Sequence, residues 1–317
     1  MSPKLSLILT PTDDWNVHDL TISSVENQVL TEGVEFILVC SSRKRLDLPE
    51  QWSRLPYRIV ETGYPCLVHE LRAIGVREAS GEYVALIEDH VHLSPDWTSQ
   101  VLARLDEGWA AVSGSVQPGN DKTPLTEAMF LLTYAQWYRR SGEQINAPLS
   151  GHNTAYRREL LLKLDDLETA MACPVIMQSV FRRTGLPPLF TNEIKIRHWD
   201  PTTFRSSLHL LWALGKCLGT IRTEKWQAAL RVAYSAAFPV VAAKHFSRGF
   251  LELLRLRKSG SADWNSLPWL IFWSALWGLA EAYGSLWPRS KYYDRLSELE
   301  VNRWRFAEKP RMPYNPW

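Results

Sequence analysis

The 317-residue chain has few cysteines, little excess charge and no glycine-rich cluster. Its four cysteines, Cys40, Cys66, Cys173 and Cys217, are widely separated, so neither a C-x-x-C pair nor a disulfide framework is encoded. The short apolar run in MSPKLSLILTP ends in Pro-Thr-Asp-Asp and lacks a small-residue cleavage site. It reads as a first strand, and the expected setting is reducing and cytoplasmic. A net charge of +2 with 22% charged residues excludes a strongly basic nucleic-acid binder and a disordered acidic tail. Tryptophan, in contrast, is abundant. Of the 15 tryptophans, most lie from Trp199 onward, so the C-terminal third differs in composition from the rest.

Apolar runs and helical patterns alternate along the first two thirds. Leu5–Leu9, Glu35–Cys40 and Tyr83–Ile87 read as buried strands, and helical patterns over His18–Gln28 and Leu67–Ala79 separate them. A further strand over Ala110–Val116, helices over Met129–Arg140, Arg157–Lys163 and Val175–Arg183, and a strand over Glu193–Arg197 complete the pattern. This alternation predicts an α/β fold with a mostly parallel sheet flanked by helices. Ligands of such sheets bind beyond the carboxyl ends of the strands, which points to Thr10–Asp14, Cys40–Ser42 and Glu88–His92.

Glu88-Asp89-His90 places acidic and imidazole groups on one turn after a wholly apolar strand, as a metal bridging a diphosphate requires. An acidic turn alone is equally a solvated loop or a helix cap. The surrounding residues carry more. Arg72-Ala73-Ile74-Gly75, then Ala79-Ser80-Gly81-Glu82-Tyr83 through Glu88-Asp89-His90, then Pro95-Asp96-Trp97, resemble in order and spacing the pattern of family 2 glycosyltransferases of the GT-A fold. Ser150-Gly151-His152-Asn153-Thr154-Ala155-Tyr156-Arg157-Arg158 resembles the family's loop beside donor and acceptor sugars. Ile194–His198 resembles its strand ending in histidine. The resemblance covers Leu5 to Thr223.

It implies an inverting transfer of a sugar from a nucleotide-sugar donor to an acceptor hydroxyl, with Mn2+ or Mg2+ as cofactor. Asp89, His90 and His198 are the implied metal residues. Pro11, Thr12, Asp13, Ser41, Arg72, Glu88, Asp89, Gly151, His152 and Asn153 are the implied donor contacts. Histidine at position 90 suits manganese or a similar transition ion better than magnesium.

The chain departs from the family pattern at two places. Strand two ends in Cys40-Ser41-Ser42, where the family has aspartates that hold the base, although serine hydroxyls still offer hydrogen bonds. Cys173-Pro174 stands where the base carboxylates belong, and Glu168 is the acid nearest in sequence, so it is nominated as the general base. The alternative is a catalytically silent relative that binds a glycan or a partner enzyme. A nucleotidylyltransferase is set aside, since Thr10–Asn16 contains no Gly, Arg or Lys.

Leu267–Leu286 holds 20 residues with Glu281 as the sole charge, and Trp269, Trp273, Trp277 and Glu281 form one stripe at four-residue spacing. Basic residues flank it on both sides, which opposes a single span. Ala233–Ala243 is too short to cross and contains Pro239. The expectation is helices lying in the membrane interface, with tryptophans at headgroup depth, against the plainer reading of an ordinary packed core. The expected division is a catalytic domain at 1–223 and a helical region at 224–317. Its expected partners are a nucleotide-sugar donor, a glycan or lipid-linked acceptor and the inner face of the cell membrane.

Overall fold

The computed structural model describes residues 3–11, 19–42, 48, 50–138, 142–172, 176–178, 180–181, 185–200, 203–262, 264–289, 292, 294–296 and 299. The chain divides into two compact units. One runs to Gly119 and includes Trp137–Trp199; the other comprises Asn120–Gln136 and the described residues from Asp200 onward. The expected boundary at 223 falls at the end of a helix within the second unit.

In the first unit, β1 (Leu5–Leu9), β2 (Val34–Cys40), β3 (Tyr57–Glu61) and β4 (Tyr83–Ile87) lie in parallel in the order β3-β2-β1-β4. All five residues of β1 and of β4 are buried, the pattern of strands covered on both faces. Helix α1 (Asp19–Val29) follows β1, and α2 (Val68–Glu78) precedes β4. Apolar residues of α2, including Leu71 and Val76, pack with Ile8, Ile37, Val39 and Val84 into one core.

Past β4 the sheet becomes mixed. β5 (Val91–Leu93), α3 (Trp97–Asp106), β6 (Ala111–Pro118), β7 (Glu143–Ile145), β8 (Thr154–Arg157), α5 (Arg158–Leu162), α6 (Leu167–Ala172) and β9 (Pro188–His198) belong to this unit. The order continues β4-β8-β6-β9-β5, and β7 pairs with β9. β8 runs antiparallel to β4 and to β6, while β6 and β9 form a long parallel ladder. That ladder shifts register between Gly114 and Ser115. A Cβ at Gly114 would lie 2.1 Å from the Ile194 carbonyl oxygen, so only glycine allows this approach. The α/β architecture expected from the sequence is present, and its parallel ladders are the longest.

In the second unit, α4 (Pro124–Tyr134), capped by the Thr123 hydroxyl, joins α7 (Phe204–Thr223), α8 (Ala228–Ala236), α9 (Phe238–Lys258) and α10 (Leu267–Leu286). The break between α8 and α9 at Ala237 precedes Pro239, which is tolerated in a first helical turn and not within a helix. At the α7–α10 crossing, a Cβ on Gly219 would lie 2.1 Å from the Glu281 carbonyl oxygen, so the two backbones touch. The Trp273, Trp277 and Glu281 stripe turns inward, and all three side chains are buried. That corrects the expected placement of the stripe at headgroup depth. Packing against α7 and α9 buries the large indoles, and polar partners inside the unit meet the carboxylate. Among the described residues no helix is long and apolar enough to cross a membrane.

Candidate active site and metal centre

Three strand ends bring the site together, and register explains why. Leu86 pairs with Thr154 in the antiparallel β4–β8 ladder; extended two residues beyond the strands, that register sets Glu88 opposite His152. The turn at Glu88-Asp89-His90 then reverses into β5, whose Val91 pairs with His198 at the end of β9. The Trp199 amide donates to the His90 carbonyl at 3.2 Å and closes that end. Residues 88–90, 152 and 198 thus meet although up to 110 positions separate them in sequence.

Glu88 is the hub. Its Oε1 accepts from the Arg72 guanidinium at 2.7 Å. Its Oε2 lies 3.1 Å from His90 Nε2, 3.3 Å from His198 Nε2 and 3.6 Å from His152 Nδ1. His90 Nε2 and His198 Nε2 are 3.1 Å apart, and the His152 and His198 rings lie 4.5 Å apart between centroids. Burial raises the Glu88 pKa, but the charges of His152 and His90 outweigh it and hold the carboxyl well below its ordinary range. Asp89 is buried and sits 2.9 Å from His90 Nδ1. With a metal ion bound, a neutral His90 whose Nδ1 donates to Asp89 would present the lone pair of Nε2 to that ion. This is the carboxylate–histidine arrangement that orients metal ligands.

The donor set fits a transition ion. Glu88, His152 and His198 each offer a ligand atom, all within 4.8 Å of one another. Ligands about 2.1 Å from one ion lie roughly 3.0–3.4 Å apart at octahedral or tetrahedral angles, close to the separations around Glu88 Oε2. Two or three imidazoles with one carboxylate favour manganese, cobalt or zinc over magnesium.

Residues 21–165 match the profile described as Glycosyl transferase family 2. Over this stretch the chain is similar to family 2 glycosyltransferases. Among solved structures, the chain resembles S. aureus TarS 1-349 in complex with UDP-GlcNAc at 13% identity, covering 63% of this chain and 59% of that one, with a TM-score of 0.42. It also resembles GalNAc-T7 with UDP, GalNAc and Mn2+ at 14% identity, covering 63% of this chain and 44% of that one, with a TM-score of 0.45. The chain therefore spans less than two thirds of the length of either. No curated protein matches.

Within the first unit, Arg72, Glu88, Asp89, His90, His152 and His198 gather at one site. Among the carboxylates, Glu88 faces His152 and His198, while Asp89 backs His90. His152, expected as a donor contact, joins the same group of ligand atoms; the β4–β8 register that brings it there is not legible from spacing alone. Pro11 is buried at the end of β1, and Thr12 and Asp13 lie outside the described residues. Gly151 is half-buried in the turn before β8. The Ser41 hydroxyl accepts from the Cys66 amide at 3.1 Å at the end of β2.

Asn153 does not open toward the site. It is fully buried; its Oδ1 accepts from Trp97 Nε1 at 2.8 Å, and its Nδ2 donates to the Ser115 carbonyl at 3.1 Å. Trp97, the aromatic of Pro95-Asp96-Trp97, thereby anchors the loop that carries His152. Glu168 is on α6, with 39% of its side chain exposed, in an ion pair with Arg77 at 2.6 Å. It is not part of the Glu88 cluster. Cys173 and Pro174 lie outside the described residues.

Proposed function

We propose that the chain transfers a glycosyl group, with inversion, from a nucleotide-sugar donor to an acceptor hydroxyl at the carboxyl ends of β1, β2 and β4. The convergence of Glu88, His90, His152 and His198 on one point carries this reading, because the reaction must stabilise a departing diphosphate. Glu88, His152 and His198, with His90 steered by Asp89, are the residues that would hold a divalent transition ion, which when bound would supply positive charge to the departing diphosphate. Arg72 neutralises the second Glu88 oxygen and keeps that carboxylate ionised and aimed. During transfer the acceptor oxygen bonds to the anomeric carbon as the bond to the diphosphate breaks, and the acceptor proton passes to a base.

The acceptor in this reading is a glycan or lipid-linked hydroxyl at the inner face of the cell membrane, and the protein is cytoplasmic and peripheral. Calorimetry of the full chain with UDP-, GDP- and dTDP-sugars, with and without Mn2+, tests it. Metal-dependent donor binding that His198→Ala removes is expected; absence of any nucleotide binding would overturn it. That outcome would favour a silent, glycan- or partner-binding protein, the reading to which Ser41 at the end of β2 lends support.

A further inference from the structure

The inward turn of the tryptophan stripe leaves the opposite side of α10 facing outward, and that side is apolar. Ile271, Phe272, Leu279 and Tyr283 are 52%, 44%, 45% and 42% exposed. The one charge in Leu267–Leu286 is Glu281, which is fully buried, so this outward face carries none. A solvated helix face of about 30 Å ordinarily carries charged side chains. The same pattern recurs on α8 and at the start of α9, where Leu230, Val232 and Val240 are 56%, 57% and 70% exposed. Twelve of the seventeen exposed large apolar side chains among the described residues belong to this unit. Patches of this kind mark interaction surfaces.

Two further observations select the occupant. Trp226, Trp264 and Trp287, each next to a helix end, are exposed, and the Arg257 guanidinium lies 4.9 Å from the Trp264 ring centroid. Indoles and long basic side chains beside an apolar face are the side chains that settle at headgroup depth. The balance of charge is positive: between positions 224 and 289 there are eight Lys or Arg and four Asp or Glu, and two of those acids, Glu252 and Glu281, are buried in ion pairs. A symmetric contact with a second copy would set this basic surface against itself. An anionic lipid surface would neutralise it.

We infer that the outward faces of α8, α9 and α10 dock in the plane of an anionic bilayer surface, an inference that rests on the membrane-proximal reading above. The test is flotation of the full chain with phosphatidylcholine vesicles and with vesicles that also contain phosphatidylglycerol. Binding to the anionic vesicles, released by high salt, is expected, with about tenfold weaker partitioning for Leu279→Asp and for Val240→Asp. Both sites are exposed, and circular dichroism and donor calorimetry on the same samples confirm that the variants fold. A chain that ignores both vesicle types, or binds them equally after either substitution, overturns the inference, and so does a dimer in sedimentation equilibrium that Leu279→Asp dissociates. Donor binding reports on the transfer reading separately, so failure of one is distinguishable from failure of the other.

Discussion

Replacing Asn153 with alanine removes a buried junction from beneath the site without deleting any ligand atom. Asn153 and Trp97 are fully buried and Ser115 is 1% exposed, so the deletion strands the Trp97 indole N–H and the Ser115 carbonyl without water to replace the lost partner. Each such orphan costs about 1–3 kcal/mol, which sets the loss at roughly 2–6 kcal/mol. The contact with the Ile194 carbonyl, at 3.5 Å, is long enough to add little. Against a typical total of about 5–15 kcal/mol this is a large fraction. The expected result is a lower urea midpoint at unchanged slope, with weaker Mn2+ binding because His152 is the neighbouring residue. Asn153→Asp keeps the acceptor for Trp97 but sets a carboxylate against two carbonyl oxygens, so it should rescue nothing. A variant that loses donor affinity while stability falls by less than about 0.5 kcal/mol would refute the reasoning, since the amide would then be facing the donor.

Other perturbations follow from the same geometry. Burial, followed by Arg248, Arg222 and Lys244, lowers the His245 pKa from 6.5 to about 3, so the ring is neutral in the fold beside Glu281 and is protonated first in the unfolded chain. Stability is therefore full above pH 6.5 and falls as the pH drops, by about 2 kcal/mol at pH 5. Melting curves should show this, and His245→Gln should reduce the slope. Glu168→Gln breaks an ion pair with Arg77 outside the Glu88 cluster and should lower turnover less than tenfold; a loss of a thousandfold would make Glu168 the base. Gly219→Ala drives a methyl group into the Glu281 backbone and should cost about 1–3 kcal/mol in denaturant unfolding, whereas Gly142→Ala, with no neighbour within 4 Å but a φ of +70°, tests backbone strain alone.

Much of the fold was legible before any coordinate. The apolar runs at Leu5–Leu9 and Tyr83–Ile87 became strands with those bounds, and Leu267–Leu286 became α10 with its proline in the first turn. Local features carried these: continuous burial, helical periodicity and end signals. Short strands such as β3, β7 and β8 escaped notice because three to five residues hold too little pattern to separate from a loop. The site was legible as motifs, but not as roles. Asn153 and His152 are adjacent, yet one turns into the core toward Trp97 and the other toward Glu88.

The sequence by itself determined which residues are apolar, where strands end and which turn presents Glu88-Asp89-His90, since each depends on a few neighbouring side chains and the backbone between them. Only tertiary structure decided that His152 and His198 meet Glu88, because strand register sets that distance and register is a choice among long-range pairings. It likewise decided that the tryptophan stripe of α10 faces inward and its aliphatic side outward. An evenly apolar helix offers both faces, and the packing of α7 and α9 selects the one to bury.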